Sequence, residues 1–305
     1  MRRVLTSMVS AFGIMIPTFM VPNMMAPFIM VLATLWLAPL PARADPALWV
    51  AHGPHADVYL LGSIHLLRPD TLWEGKAIHH ALAAASQPWV EAEQPDDLAP
   101  LQAVMAQLGL EPSGSLGSRL SPKDTTRLQA LSGDTMQKTR PWLASVVLAL
   151  QPLERAGYDG TLGPDHVLQH EAHLAGKAMA GFETMEQQIR ILAGMPEPFP
   201  LKMLHSTLDE VEQGPAIIDA AVAAGLQGDP VKAAASLDQK LRQDAPELYR
   251  VLITDRNAAW ADRVAGMVTG TETVLMTVGA GHLAVEGNLR DLLAKRGTEF
   301  ERVPD

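Results

Sequence analysis

Two histidines, each delivered by the same short signature near opposite ends of the chain, are the residues best placed to do chemistry. They close Gly62-Ser63-Ile64-His65 and Gly279-Ala280-Gly281-His282. Each signature follows an apolar run with β character, Val58-Tyr59-Leu60-Leu61 and Val274-Leu275-Met276-Thr277-Val278. A strand ending in Gly-x-x-His carries its imidazole to the carboxyl edge of a sheet, where open α/β sheets hold their ligands. The glycines, Gly62 and Gly279, let the backbone turn beside the ring without a side chain in the way. If the two strands lie close in one sheet, both rings can face a single site.

Carboxylates complete the chemistry. The run Pro88-Trp89-Val90-Glu91-Ala92-Glu93 reads as a strand, which puts Glu91 and Glu93 on one face because side chains alternate with period two. Two imidazoles and a carboxylate form a three-ligand metal set with a position left for water. An ion held there lowers the pKa of its water and polarises a carbonyl, which suits hydrolysis. Spacing alone leaves the bland alternative open, since a strand-end histidine also serves as a structural hydrogen-bonding residue. A second grouping, His166, His170 and His173, shares one helix face. It lacks the His-Glu-x-x-His order and reads as an exposed polar face, with His79, His80 and His205 also solvated. Trp142 and Trp260 read as packing residues.

The elements that must position these groups are strands at both ends of the chain and a helix-rich middle. Short strands are expected over 47–51, 56–61, 88–93, 177–182, 273–278 and 298–303, with helices over 73–86, most of 98–175, 184–267 and 286–296. Ser121-Pro122-Lys123-Asp124 is a helix start, with an N-cap serine and proline in the first turn. The pattern predicts an α/β (α+β) fold with one central mixed sheet built from both ends, and no repeat at solenoid periods.

Residues 1–44 read differently. Arg2 and Arg3 precede an uncharged stretch over residues 4–41, and Ala42-Arg43-Ala44 offers a small-residue cleavage site before Asp45. This describes a secretory signal peptide, with an uncleaved N-terminal anchor as the rival because the stretch is long enough to span a bilayer. The expectation is therefore an exported protein, periplasmic or secreted, whose domain occupies 45–305. The 305-residue chain carries a net charge of −10, which becomes −13 without the three leader arginines. That balance argues against nucleic acid as a partner. The chain has no cysteine, so an exported domain must hold by packing alone.

Seven short segments, in order, resemble the TraB/PrgY/GumN family, which is related to the Tiki metalloproteases. They are Val58 to Leu67, Val90-Glu91-Ala92-Glu93, Arg140-Pro141-Trp142-Leu143, Gly163-Pro164-Asp165, Gly181 to Gln187, Arg256-Asn257 with Trp260, and Val278 to Leu283. In the fifth, Phe182 replaces a leucine and the family's glutamine falls one position early or late. Val285 stands where the family often has glycine.

The resemblance implies a metal-dependent, hydrolase-like site made of His65, His282 and Glu91, holding a divalent ion such as Mn, Co or Zn. It implies peptide bonds as the target, a peptide or other small exported substrate as partner, and Glu91 as ligand or general base. Arg256 would anchor a carboxylate or stabilise an oxyanion, or else form a helix-surface ion pair. Asn257 stands beside it with the same two readings. Glu183 reads as a further ligand or as an acid at a helix N-terminus, and Asp165 as a helix N-cap. Two other functions remain open: a binding protein that sequesters a peptide, sugar or haem-like ligand, and an accessory factor in exopolysaccharide production.

Overall fold

In the computed structural model, the described residues are 46–304 other than 96, 285 and 286. The expected leader over residues 1–44, its junction at Asp45 and the departure at Val285 lie outside them. Among the described residues, no helix is long and apolar enough to cross a membrane.

A six-stranded mixed sheet organises the chain. Its strands are β1 (Leu48–His52), β2 (Asp57–Ser63), β3 (Trp89–Glu93), β4 (Ala180–Thr184), β5 (Val274–Gly279) and β6 (Glu301–Arg302), in the spatial order β4-β3-β5-β2-β1-β6. The four strands from β4 to β2 are parallel, while β1 and β6 close one edge in antiparallel pairing. The last long strand in the sequence therefore inserts between two of the first. β5 is buried along its whole length, as expected of a parallel strand covered on both faces.

Helices cover both faces. One side packs Trp260, Ala261 and Val264 of Asp255–Val268, with Leu289 and Leu293, against Val58, Leu60, Met276 and Val278. On the other, Ile78, Ala81 and Leu82 of Lys76–Ala84 join Leu168 and Ala172 of Pro164–Leu174 against Leu61, Val90 and Leu275. Alternate residues of β2 thus feed opposite cores, which is the period of two at work.

The middle of the chain forms a separate helical body. In chain order the helices used below are α1 (Lys76–Ala84), α2 (Ala99–Gly109), α3 (Pro122–Ser132), α4 (Pro141–Arg155), α5 (Pro164–Leu174), α6 (Met185–Ala193), α7 (Phe199–Glu210), α8 (Gly214–Leu226), α9 (Pro230–Asp244), α10 (Pro246–Tyr249) and α11 (Asp255–Val268). Met105, Leu128, Leu143, Leu148, Ile189 and Leu204 unite α2, α3, α4, α6 and α7 in one core.

The expected strands all form, with shifted limits. The fourth begins at Ala180 rather than 177 because Gly176 takes a positive φ and Lys177 still bonds back to Ala172 at the end of α5. The final strand shrinks to Glu301–Arg302, since only Trp49 and Val50 of the short edge strand β1 pair with it.

Candidate active site

The parallel ladder between β2 and β5 places Ser63 beside Gly279 and Gly62 beside Val278. β5 also pairs with β3, Val90 lying opposite Thr277. The carboxyl ends of three neighbouring strands thus deliver His65, His282 and Glu91 to one edge of the sheet, the place where such folds bind ligands.

Glu91 is the hub. Its Oε1 accepts a hydrogen bond from the Gly279 N–H at 2.5 Å and lies 3.5 Å from His282 Nε2. Its Oε2 accepts from Arg256 Nη2 at 2.8 Å. Arg256 projects from α11, donates through Nε to Glu183 Oε1 at 2.8 Å, and donates through Nη1 to His282 Nε2 at 3.1 Å and to the Leu252 carbonyl at 3.0 Å. The guanidinium also lies over the Trp260 ring, 4.7 Å from its centroid, a cation–π contact. Arg256 is a component of the site, and the alternative of a helix-surface ion pair is set aside.

A π-helical turn, Arg250–Thr254, immediately precedes α11. Such turns widen a helix locally and recur at functional sites. Here the turn supplies the Leu252 carbonyl that receives Arg256.

The tautomer of His282 follows from its partners. Arg256 can only donate, so Nε2 must accept and the proton must sit on Nδ1. Nδ1–H then donates to Asn257 Oδ1 at 2.7 Å. Asn257 is fully buried, and the ring of His282 packs on Trp260 with centroids 4.5 Å apart. Burial pushes the His282 pKa down to about 4, and Arg256 and His65 add to the effect.

His65 has the opposite character. Its Nδ1 stands 3.2 Å from Asp165 Oδ1, which also accepts from Ser63 Oγ at 2.5 Å. Its side chain borders the cleft and is 48% exposed. Burial opposes its charged form, but the Asp165 carboxylate outweighs that and raises the pKa to about 9. Burial likewise favours a neutral Glu91, yet His282, Arg256, His65 and the Gly279 N–H together hold its carboxyl far below the usual range. Because His282 is neutral at pH 7, Arg256 and His65 supply the positive charge.

Asp165 is therefore more than a capping residue. The N-cap of α5 is Gly163, and Asp165 in the first turn orients His65. Gly163 makes that approach possible: a Cβ there would sit 2.4 Å from the backbone oxygen of His65.

Gly279 is the other glycine with a steric task. A Cβ on it would lie 3.0 Å from both His65 Nε2 and Glu91 Oε1, so its missing side chain keeps open the space between them. At Gly62, within β2, the nearest atom would be 3.4 Å away, which is ordinary contact. Glu183 holds Arg256. Glu93, at the end of β3, is exposed and does not line the cleft.

The donor types of His65, Glu91 and His282 suit a divalent ion, and the absent Cβ of Gly279 leaves space between His65 and Glu91. Their ligand atoms do not all come within 4.8 Å of one another, and Arg256 occupies the lone pair of His282. Binding an ion through both imidazoles would require the guanidinium to leave His282 and His65 to give up its proton.

Among the described residues, the ligand atoms of Glu74, His79 and Glu171 do lie within 4.8 Å of one another. His79 there is half exposed and paired with both acids. His170 and His173 are exposed, while His166 Nδ1 bonds Gln94 Oε1 at 2.9 Å. His205 bonds Asp124 and Asp209. Trp142 is core, its Nε1–H donating to Leu108 O.

The site opens into a cleft of about 340 Å³ bounded by His65, Glu91, Asp165, Gln188, Ser145 and Thr207. It adjoins a second cavity of about 380 Å³, sharing Ala149, Met203 and Thr207, whose walls include Leu153, Ile217, Ile218 and Leu248.

Comparison with known proteins gives the same family as the motifs. The profile of the TraB/PrgY/gumN family matches residues 47–302. The chain is 27% identical over 270 residues to "Uncharacterized protein YbaP" of Escherichia coli (strain K12), covering 85% of this chain and 97% of that one. The protein of the same name from Shigella flexneri matches to the same extent. No solved structure matches.

Proposed function

The chain belongs to the TraB/PrgY/gumN family, and from that premise we propose that it is an exported, metal-dependent hydrolase acting on peptide bonds. The observation that carries the reading is the meeting of both Gly-x-x-His motifs with Glu91 across adjacent strands. His65, His282 and Glu91 would hold a divalent ion, which when bound supplies a Lewis acid for polarising a carbonyl.

The remaining steps belong to side chains. Asp165 fixes the ring of His65 and raises its basicity, as carboxylates behind metal-ligating histidines do. Asn257 fixes His282 with Nε2 facing the site. Glu91, held ionised by Arg256 and the Gly279 N–H, is a hydrogen-bond acceptor for the attacking water when it is not fully engaged as a ligand. Arg256, freed from His282, offers a planar fork to the negative charge that develops on the substrate. Export rests on the leader character of residues 1–44, and membrane attachment follows only if the segment over 4–41 is retained.

The test is metal titration of the purified protein by calorimetry with Mn²⁺, Co²⁺ and Zn²⁺, alongside His65→Ala and His282→Ala. We expect one ion per chain and a loss of affinity in both variants, with peptide cleavage abolished by chelator and restored by metal. Unchanged affinity in either variant would refute the assignment.

One observation favours a second reading. Arg256 satisfies both His282 and Glu91 without any ion, as it would in a binding protein whose motif residues only shape a pocket. Ligand capture indifferent to chelator would support that alternative.

A further inference from the structure

The family-like segment Gly181 to Gln187 ends on one glutamine and a second, Gln188, follows it directly; the structure gives the two different tasks. Gln187 is spent on the backbone: Thr184 N–H donates to its Oε1 at 2.7 Å, while its own N–H donates to Thr184 Oγ1 at 3.1 Å. This is a complete capping box at the start of α6. Gln188, one position on, is half-buried and lines the 340 Å³ cleft beside Glu91 and His65. Among the described residues its amide has no hydrogen-bond partner. A side-chain amide carries both donors and an acceptor, so the amide of Gln188 is free to bond a ligand that enters the cleft.

The same cleft shows how such an amide is used. Gln169, on α5, accepts from the backbone N–H of Gln94 at 3.2 Å and donates through Nε2 to the backbone oxygen of the same residue at 3.1 Å. One glutamine thereby reads both polar groups of the residue that follows β3, as a neighbouring strand would. Both glutamines border the cleft.

We propose that Gln188 is the substrate-side counterpart of Gln169, clamping the N–H and C=O of one residue of an extended peptide in the cleft. This rests on the peptide reading of the site above. The contact is to main chain, so it selects an extended peptide backbone over other ligand classes without selecting a side chain. Gln188 is a positioning residue in this scheme and takes no part in bond cleavage.

The experiment measures binding apart from turnover. Fluorescein-labelled peptides of randomised sequence are titrated with the purified protein in the presence of chelator, followed by polarisation. Tight binders are resynthesised with single ester-for-amide replacements. We expect Gln188→Ala to weaken binding about tenfold with no change in melting temperature. One ester replacement should weaken wild type and have no further effect in that variant.

Gln187→Ala is the contrast: it loses the cap, melts earlier and keeps wild-type affinity. Equal affinity of wild type and Gln188→Ala overturns the proposal. So does an ester penalty identical in both proteins, or a wild type that binds no peptide. Cleavage is scored separately with metal restored. Binding that depends on Gln188 without cleavage removes the hydrolase reading and leaves the clamp. Cleavage with an unchanged KM in Gln188→Ala removes the clamp and leaves the hydrolase.

Discussion

His282 can take only one tautomer, and that constraint reaches well beyond one hydrogen bond. Arg256 requires an acceptor at Nε2, so Nδ1 must donate, and Asn257 Oδ1 is the acceptor that receives it. In Asn257→Ala the buried Nδ1–H loses its partner. We expect a stability loss of about 1–3 kcal/mol, read by denaturant unfolding, and a fall in metal affinity of about 10- to 100-fold, read by calorimetry. Full retention of both would show that the asparagine does not orient the ring. Gly279→Ala tests the cradle itself. The added methyl group would sit 3.0 Å from His65 Nε2 and Glu91 Oε1, both side-chain atoms, so the fold should survive while metal binding is lost. A variant that binds metal normally would remove the cradle from the argument.

Much of this site is legible in residue types alone, because the two signatures and Glu91 carry their own strand context. What stayed hidden was pairing. Nothing local in Asp165 announces that it faces His65 and Ser63, a contact made between α5 and the loop after β2. Nothing local in Glu183 announces that its partner is Arg256 rather than the amide dipole of α6. Nothing local separates Gln187 from its neighbour Gln188; the capping box claims the first of them.

At the scale of elements, the start of α3 shows a helix terminus acting as a tertiary joint. Ser121 Oγ accepts from the Asp124 N–H at 3.1 Å and donates to Asp124 Oδ2 at 2.8 Å. The same Oδ2 meets His205 Nδ1 of α7 at 2.9 Å. Burial opposes ionisation of Asp124, but Ser121, His205 and Arg127 together pull its carboxyl below the ordinary value. A depressed native pKa means the unfolded chain binds the proton more readily. The stabilisation is therefore complete above the unfolded value of about 3.9 and fades as pH falls through the lower native value.

We expect Asp124→Asn to cost about 1–3 kcal/mol near neutrality through its hydrogen bonds to Ser121 and His205 and to flatten the decline of stability on the acid side, as measured by urea unfolding across pH. Equal acid sensitivity in both proteins would assign the decline to other carboxylates. The cap was legible from Ser-Pro-Lys-Asp alone. The docking of His205 was not, because it comes from a helix that follows Pro198, and its half-exposed ring reads as solvated from sequence.

For the whole molecule, the decisive fact is where β5 sits. Its six residues are all buried, and it bridges β2 and β3, which otherwise share no ladder. The hydrophobic run from Val274 to Val278 foretold a strand, and the matching motifs foretold proximity to β2. The pairing with β3 on its other side could not be read, since parallel neighbours separated by a long crossover leave no trace in local spacing.

This topology makes the site a property of the complete domain. Burying Val274, Leu275, Met276 and Val278 is worth about 1.5–3 kcal/mol each, a sum comparable to the roughly 5–15 kcal/mol that separates a folded domain from its unfolded chain. A chain ending at Thr273 would keep His65, Glu91, Asp165 and Arg256 in sequence but would split the sheet between β2 and β3. We expect it to show no cooperative thermal transition, with exchange-protected amides confined at most to the helical body of α2, α3, α4, α6 and α7. If that truncated chain instead melted cooperatively with protected amides in β2 and β3, the sheet would be held by its flanking helices. The meeting of the two histidines would then be secondary to the fold.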